Sequence, residues 1–484
     1  MRIDVKPPPT RRSSASQEGR AAIWVGLAGA AVGLIYGYDT GAIAGALLFL
    51  RSDFGLSTVL LEVVTSAVVA GSILGTVLAR PACDRLGRQR TMVIVGAGYA
   101  LFAALSGMAP TSVILIGARF LLGIAIGGSI VAAPIFISES VAPRVRGRVL
   151  VSYQMAVTFG IAAAYFVDFS LAESGAWRWM LGMSAIPAVL VSILVARLPE
   201  TGYWHLLHGD PDAARQALRR TRPAAEVEAE IDQVRRSLAG QEHGSFRELF
   251  QPPYRRAGIF VVGLGFFVQI TGIPAILSYS PMIFKAVGIT GGRSAIFVTA
   301  LVQLAAIVGE VVAILRVDRA GRRPALLTGI GLMAFASLVL CAVFIAGVAS
   351  GHAAFMAVGA ILLFRIGYSA GFGALVWVYA TESLPLRLRS VGATTLLTVD
   401  LLANFIITLT FLSTLKSVGG SFTFGLFFAL CVAAGVFAFI LAPETKGREL
   451  EDIEAFWHNG GHWSPRPAAS SSDPAQSERD SGAS

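Results

Sequence analysis

Asp39, Arg119, Glu310, Arg365 and Asp400 all fall inside long apolar runs. An ionised side chain at the middle of a membrane helix costs about 2.5–3.5 kcal/mol even on the lenient insertion scale. Residues kept at that cost are functional by default and usually have a partner; the chemistry open to them is proton exchange, ion pairing or binding of a polar solute. No histidine joins them, since His205, His208, His243, His352, His458 and His462 lie in loops or tails. A histidine relay is therefore excluded, and proton chemistry inside the runs falls to carboxylates. No GxxxxGK[ST] loop occurs, so nucleotide-driven chemistry is not expected. Cys83, Cys341 and Cys431 form no CxxC or Cys/His group, which leaves no metal site and no disulfide framework to propose.

The elements that must position these groups are membrane helices. The chain has 484 residues, 55% hydrophobic and only 14% charged, against about 25% charged in soluble chains; its mean hydropathy is +0.67. A water-soluble enzyme or nucleic-acid binder of this size is excluded. Apolar runs long enough to span fall at 22–48, 58–79, 91–110, 112–136, 149–171 and 177–197, then at 257–287, 294–315, 324–349, 354–381, 391–414 and 421–442. The organisation expected is a polar N-tail (1–21), a six-helix bundle (22–197), a connection with short amphipathic helices (198–256), a second six-helix bundle (257–442) and a tail (443–484). The first run is too long for a signal peptide, and both tails read as disordered by composition.

Basic residues orient the chain. With the N-terminus in the cytoplasm, 32 of the 39 Lys and Arg fall in cytoplasmic segments and five outside: Arg51, Arg178, Lys285, Arg293 and Lys416. The positive-inside rule then puts both termini in the cytoplasm, which also accounts for the net charge of +9 without a nucleic-acid partner.

The halves repeat. DRLGRQR at 84–90 returns as DRAGRRP at 318–324; Glu139 with Arg146 returns as Glu382 with Arg389; Pro199-Glu200 returns as Pro443-Glu444. Each motif follows the second, fourth or sixth run of its half. The reading is an all-α membrane protein, twelve transmembrane helices in two bundles related by pseudo-two-fold symmetry around a central cavity.

Together these motifs resemble the sugar porters of the major facilitator superfamily over about 23–453. The resemblance is carried by GYDTGAIAGAL (37–47), DRLGRQR, GARFLLGIAIGG (117–128), ESVAPRVRGR, LPETGYW, QITGIPAILSYSP (269–281), DRAGRRP, WVYATESLPLRLR (377–389) and APETKGRELEDI. It implies a secondary transporter in the plasma membrane that carries a sugar or polyol together with H+ by alternating access, monomeric, with a proton gradient and no cofactor.

Residue roles follow from the same resemblance. Asp39 would take the proton, with Arg119 favouring the ionised carboxylate while the two touch. Gln154, Gln269, Tyr279, Trp377 and Asn404 would bind the solute, joined by Asp400 one helical turn before Asn404. Asp84, Arg85, Arg88, Glu139, Arg146, Glu200, Asp318, Arg319, Arg322, Glu382, Arg389 and Glu444 would form a charge network latching the bundles on the cytoplasmic side.

Departures from the family pattern bear on the substrate. Val268, Pro274, Ser278, Ala374 and Val376 stand where a Gln, an Asn, a Tyr and two prolines are usual; Arg80 replaces a Gly, and Ala142 precedes a shifted Pro143. Two lost amides, at about 0.5–1.5 kcal/mol each, favour a different or less hydroxylated solute. A facilitative uniporter, a carrier or exporter of a non-sugar solute, and a non-transporting membrane sensor are the alternatives; the Asp39/Arg119 pair disfavours the first.

Overall fold

In a bilayer every backbone polar group must be satisfied within the chain, which forces apolar runs of this length into helices. The computed structural model describes residues 11–141, 143–220, 224–239, 244–289, 291–347, 351–448 and 450–463. Within them are helices long and apolar enough to cross a membrane, twelve in number: Ile23–Asp53, Thr58–Leu86, Arg88–Gly107, Ser112–Ser140, Val145–Leu171, Trp177–Ala196, Arg255–Ala286, Gly292–Val311, Arg322–Ala346, His352–Glu382, Arg387–Ser417 and Gly420–Leu441. They are called spans 1 to 12 below. The first ten residues, Ala142 and everything after Trp463 lie outside the described residues, and with them most of the tail segments expected to be disordered. Helix 1 itself begins at Arg11, inside the expected N-tail. After Pro9 that stretch holds no proline to stop a helix from extending upstream.

Packing repeats between the halves. Span 1 packs on span 5 as span 7 does on span 11; span 2 on span 4 as span 8 on span 10; span 3 on span 6 as span 9 on span 12. Spans 2 and 11, 5 and 8, and 1 and 7 meet between the halves. Small residues allow the closest approaches. A β-carbon on Gly71 of span 2 would run into the Phe120 carbonyl of span 4, and one on Gly123 into that of Val68.

Three spans are interrupted. Span 7 breaks at Gly272, whose φ of +110° is left-handed, three residues after Gln269. Span 6 breaks between Gly182 and Ala185, and span 10 widens to a π turn at Ser369–Gly373. Broken backbone at membrane depth is tolerated where it is buried in protein or lines a cavity, and the break in span 7 leads straight into the cavity-lining Pro274, Leu277 and Ser278.

The connection between the halves carries short helices at Gly202–Leu207, Pro211–Arg219 and Ala224–Ala239. A tail helix, Leu450–His458, docks on the second half. Trp457 donates its indole N–H to the Ser383 carbonyl at 2.7 Å, and the Tyr254 hydroxyl reaches Glu454 at 2.7 Å. Burial and that carboxylate push the Tyr254 phenol up to about 12.

Candidate transport site

Between the halves lies a cavity lined from span 1 by Tyr36, Asp39, Thr40 and Ile43, from span 2 by Thr65, Val69 and Ser72, and from span 4 by Arg119, Ile126 and Ile130. Pro274, Leu277 and Ser278 of span 7 and Leu401, Asn404 and Thr408 of span 11 complete it. Both halves thus contribute, the first through its first, second and fourth helices and the second through its first and fifth.

Asp39 and Arg119 form the charged pole of this cavity. Each is only 2% exposed, and Arg119 Nη1 meets Asp39 Oδ1 at 2.6 Å. Arg119 Nε is buried without a hydrogen-bond partner, so the guanidinium is not fully satisfied by the pair. A buried ion pair is held at a desolvation cost, and removing one partner strands the other charge.

In the second half, behind the residues that line the cavity, Gln269 donates from Nε2 to Asp400 Oδ1 at 2.8 Å. The two residues expected at the solute are therefore bonded to each other, across spans 7 and 11. With its amino group spent on the carboxylate, Gln269 has its carbonyl oxygen left to offer, an acceptor. Asn404 lines the cavity. Two family departures line it as well, Pro274 and Ser278, so the lost amide and lost phenol are lost at the site itself.

Tyr279 is not itself a lining residue, though its hydroxyl bonds to Thr408, which is. It is fully buried, its hydroxyl donates to the Thr408 carbonyl at 2.6 Å, and its ring stacks on Phe411. The one-residue step from Ser278 turns it some 100° around the helix, into the seam between spans 7 and 11 of its own half. Gln154, Gln269, Trp377 and Asp400 are not among the cavity-lining residues, and Trp377 is 40% exposed.

Glu310 and Arg365 belong to a separate polar cluster. Arg365 Nη2 donates to Gln303 Oε1 at 2.6 Å, Gln303 Nε2 to the Thr158 carbonyl at 3.2 Å, and the Thr158 hydroxyl to Glu310 Oε2 at 2.7 Å. Spans 5, 8 and 10 are tied together here, across the two halves. Arg365 makes no ion pair with Asp400 among the described residues.

The repeated charged motifs make two matching clusters on the face that holds the tails, each within one half. In the first, Arg88 Nε meets Glu139 at 3.0 Å and Arg88 Nη1 meets Asp84 at 3.3 Å. Glu139 also accepts from the Thr201 hydroxyl at 2.6 Å. Glu200 accepts the backbone N–H of Arg88 and Gln89 at the start of span 3, where a helix N-terminus favours an anion. In the second, Arg322 Nε lies 3.7 Å from Glu382, Thr445 donates to Glu382, and Glu444 accepts the backbone N–H of Arg322 and Arg323.

Among the described residues, the carboxylates Asp84, Glu139, Glu200, Glu382 and Glu444 each bond within their own half, where the latch was expected to join the bundles. Arg146 Nε and Arg389 Nε are buried without hydrogen-bond partners, and Arg85 is exposed. The side chains of Asp318 and Arg319 lie outside the described residues. A contact that crosses between the halves on this face comes from a family departure, Arg80, whose Nη1 reaches Ser390 Oγ at 2.7 Å.

Two carboxylates escaped the sequence reading. Asp168 of span 5 is fully buried and accepts the Gly45 N–H at 3.1 Å. Glu62 of span 2 is 1% exposed and bonds to the other half. Both lie in apolar runs, so the signal that flagged Asp39 applied to them equally.

Residues 25–457 match the family model described as "Sugar (and other) transporter". The chain is 36% identical over 439 residues to the arabinose-proton symporter of Escherichia coli strain K12, covering 90% of this chain and 93% of that protein. It is 35% identical over 428 residues to the galactose-proton symporter of the same strain, covering 88% and 92%. Among solved structures, the proton:xylose symporter XylE bound to 6-bromo-6-deoxy-D-glucose superposes with a TM-score of 0.75 at 25% identity, over 91% of this chain and all of that one. The inward-open form of the xylose transporter XylE from E. coli superposes with a TM-score of 0.76 at 24% identity, over 90% of this chain and all of that one, a likeness of fold.

Proposed function

Since the chain belongs to the sugar porter family of the major facilitator superfamily, we propose that it is a proton-coupled symporter of a sugar or polyol, with Asp39 as the proton-carrying group. It is a multi-pass membrane transporter and not an enzyme. The observation that carries the coupling role is the buried Asp39–Arg119 pair on the wall of the cavity that both halves enclose.

In this scheme the ionised Asp39 holds Arg119. A proton on Asp39 removes the charge that binds the guanidinium, frees both side chains to turn toward solute, and is released when the pair re-forms on the other side. Ser278, Asn404, Thr408 and the Gln269–Asp400 pair supply the polar contacts to solute hydroxyls. The tails face the cytoplasm, following the 32-to-5 division of basic residues. The two carboxylate clusters on that face latch the halves when the outside is open. The cycle needs no cofactor and only one copy of the chain.

A second reading of the substrate rests on Asp400, Pro274 and Ser278. Pro274 and Ser278 leave the wall formed by spans 7 and 11 without an amide and a phenol, and the Asp400 carboxylate lies one turn from the lining residue Asn404, which suits a solute that donates there, such as a less hydroxylated sugar or an amine-bearing polyol. Uptake of a panel of labelled pentoses, hexoses, polyols and amino sugars into proteoliposomes, with and without a protonophore, tests both. Proton-driven accumulation of a neutral sugar supports the first reading; accumulation of an amine alone supports the second. Transport that a protonophore leaves unchanged sinks proton coupling.

A further inference from the structure

Glu62 has no part in the scheme above. It stands on the first turns of span 2, at the face opposite the tails, and is 1% exposed. Among the described residues no Lys or Arg forms an ion pair with it. Both of its oxygens are instead taken by one residue of the other half. The Ser413 backbone N–H donates to Oε1 at 2.6 Å, and the Ser413 hydroxyl donates to Oε2.

One turn further out the same two helices touch again. Thr58 lies four residues before Glu62, and Lys416 three after Ser413; the Lys416 ammonium donates to Thr58 Oγ1 at 2.9 Å. Residues spaced three or four apart share a helix face, so antiparallel spans 2 and 11 present facing polar stripes. Spans 5 and 8 are the symmetry-related seam, and they too end in a charged contact on this face, Arg293 with Glu173. On the tail face the carboxylate clusters stay within their own halves. Among the described residues, the carboxylates that bridge the halves are therefore Glu310 to Thr158 along spans 5 and 8, and Glu62 and Glu173 on the face away from the tails.

A carboxylate that meets two donors of a single residue is satisfied only while that residue is present. When the halves part on this face, Glu62 must find water instead, so the bonds stabilise one state of the cycle and not the other. We propose that Glu62 and Ser413 form the clasp that keeps the transporter closed to the outside, with Lys416–Thr58 and Arg293–Glu173 as its outer supports. The charge on Glu62 matters as well as its shape: a glutamine has one acceptor oxygen and turns an NH2 group toward the second donor. The clasp rests on the alternating-access part of the proposed function and not on proton coupling.

The test uses the full chain in proteoliposomes with paired labels on genetically encoded keto residues at the outer ends of spans 1 and 7. Glu62→Gln removes a bond to a charged acceptor, so the ratio of outside-open to outside-closed molecules should rise by roughly ten- to a hundred-fold. Ser413→Ala should shift it in the same direction by removing the hydroxyl alone, and covers the case that E62Q folds poorly. The double variant should shift it no further than the larger single one, because both remove the same contact. Distance distributions that match the wild type in both single variants overturn the clasp. The same shift is expected in an Asp39→Asn background, so a failure of proton coupling and a failure of the clasp are read separately.

Discussion

Replacing Asp39 with asparagine separates coupling from passage. The side chain keeps its size and an acceptor oxygen 2.6 Å from Arg119 Nη1, so the cavity keeps its shape. What it loses is the ability to carry a proton. One charge moved through 100 mV is worth about 2.3 kcal/mol, enough for roughly fifty-fold accumulation of solute at one proton per solute. The variant should therefore stop near equal concentrations while counterflow of labelled against unlabelled solute continues. It should also be less stable, because Arg119 stays buried with its charge uncompensated; breaking such a pair costs about 3–5 kcal/mol at most. The Asn acceptor moderates that loss, and Arg119→Gln added to the variant should recover part of it. The assay is uptake into vesicles energised by a potential of set size, with counterflow in the same preparation. An Asp39→Asn protein that still concentrates solute would refute the assignment, and loss of counterflow as well would place Asp39 in solute binding.

Further outcomes follow from other contacts. Tyr279→Phe removes the bond to the Thr408 carbonyl and should lower the melting temperature by the equivalent of about 1 kcal/mol, with solute affinity by calorimetry unchanged within two-fold. Asp400→Asn should weaken a cationic solute ten- to a hundred-fold by losing a charged partner of about 1.5–3 kcal/mol, yet bind a neutral sugar as well or better; an unchanged affinity with a shifted pH profile would make it a second proton site. Glu139→Gln with Glu382→Gln takes away the acceptors of Arg88, Thr201, Arg322 and Thr445 and should lengthen label distances between the tail-face ends of spans 4 and 10, whereas an unchanged distribution would leave these charges a purely topological role. Gly272→Ala forces a β-carbon into φ +110° and against Phe427 and should reduce the melting temperature and the yield of folded protein in detergent.

How far the residues announced the structure depended on the kind of signal. Twenty or so consecutive apolar residues admit little but a helix, so spans such as Trp177–Ala196 and Gly420–Leu441 were legible nearly to the residue. Asp39 and Arg119 were legible because an isolated charge in such a run demands a partner. Helix rotation was not. Nothing in SYSP distinguishes Ser278, which lines the cavity, from Tyr279, which is buried behind it with its hydroxyl on the Thr408 carbonyl. An apolar helix surrounded by lipid and by other apolar helices has little periodic contrast with which to orient itself. The pairing of Gln269 with Asp400 and the placement of the charge clusters inside each half likewise depend on tertiary distances. Glu62 and Asp168 carried the same signal as Asp39, but they lie nearer the ends of their runs on the face away from the tails, where a charge is easily taken for interfacial.

Coupled entry of proton and solute is tested most directly in de-energised proteoliposomes carrying a pH-sensitive dye in the lumen. Addition of a transported sugar outside should acidify the lumen at a rate proportional to sugar uptake, one proton for each molecule, and Asp39→Asn should abolish the acidification while sugar still equilibrates. Sugar entry with no change in luminal pH in the wild-type protein would contradict proton symport.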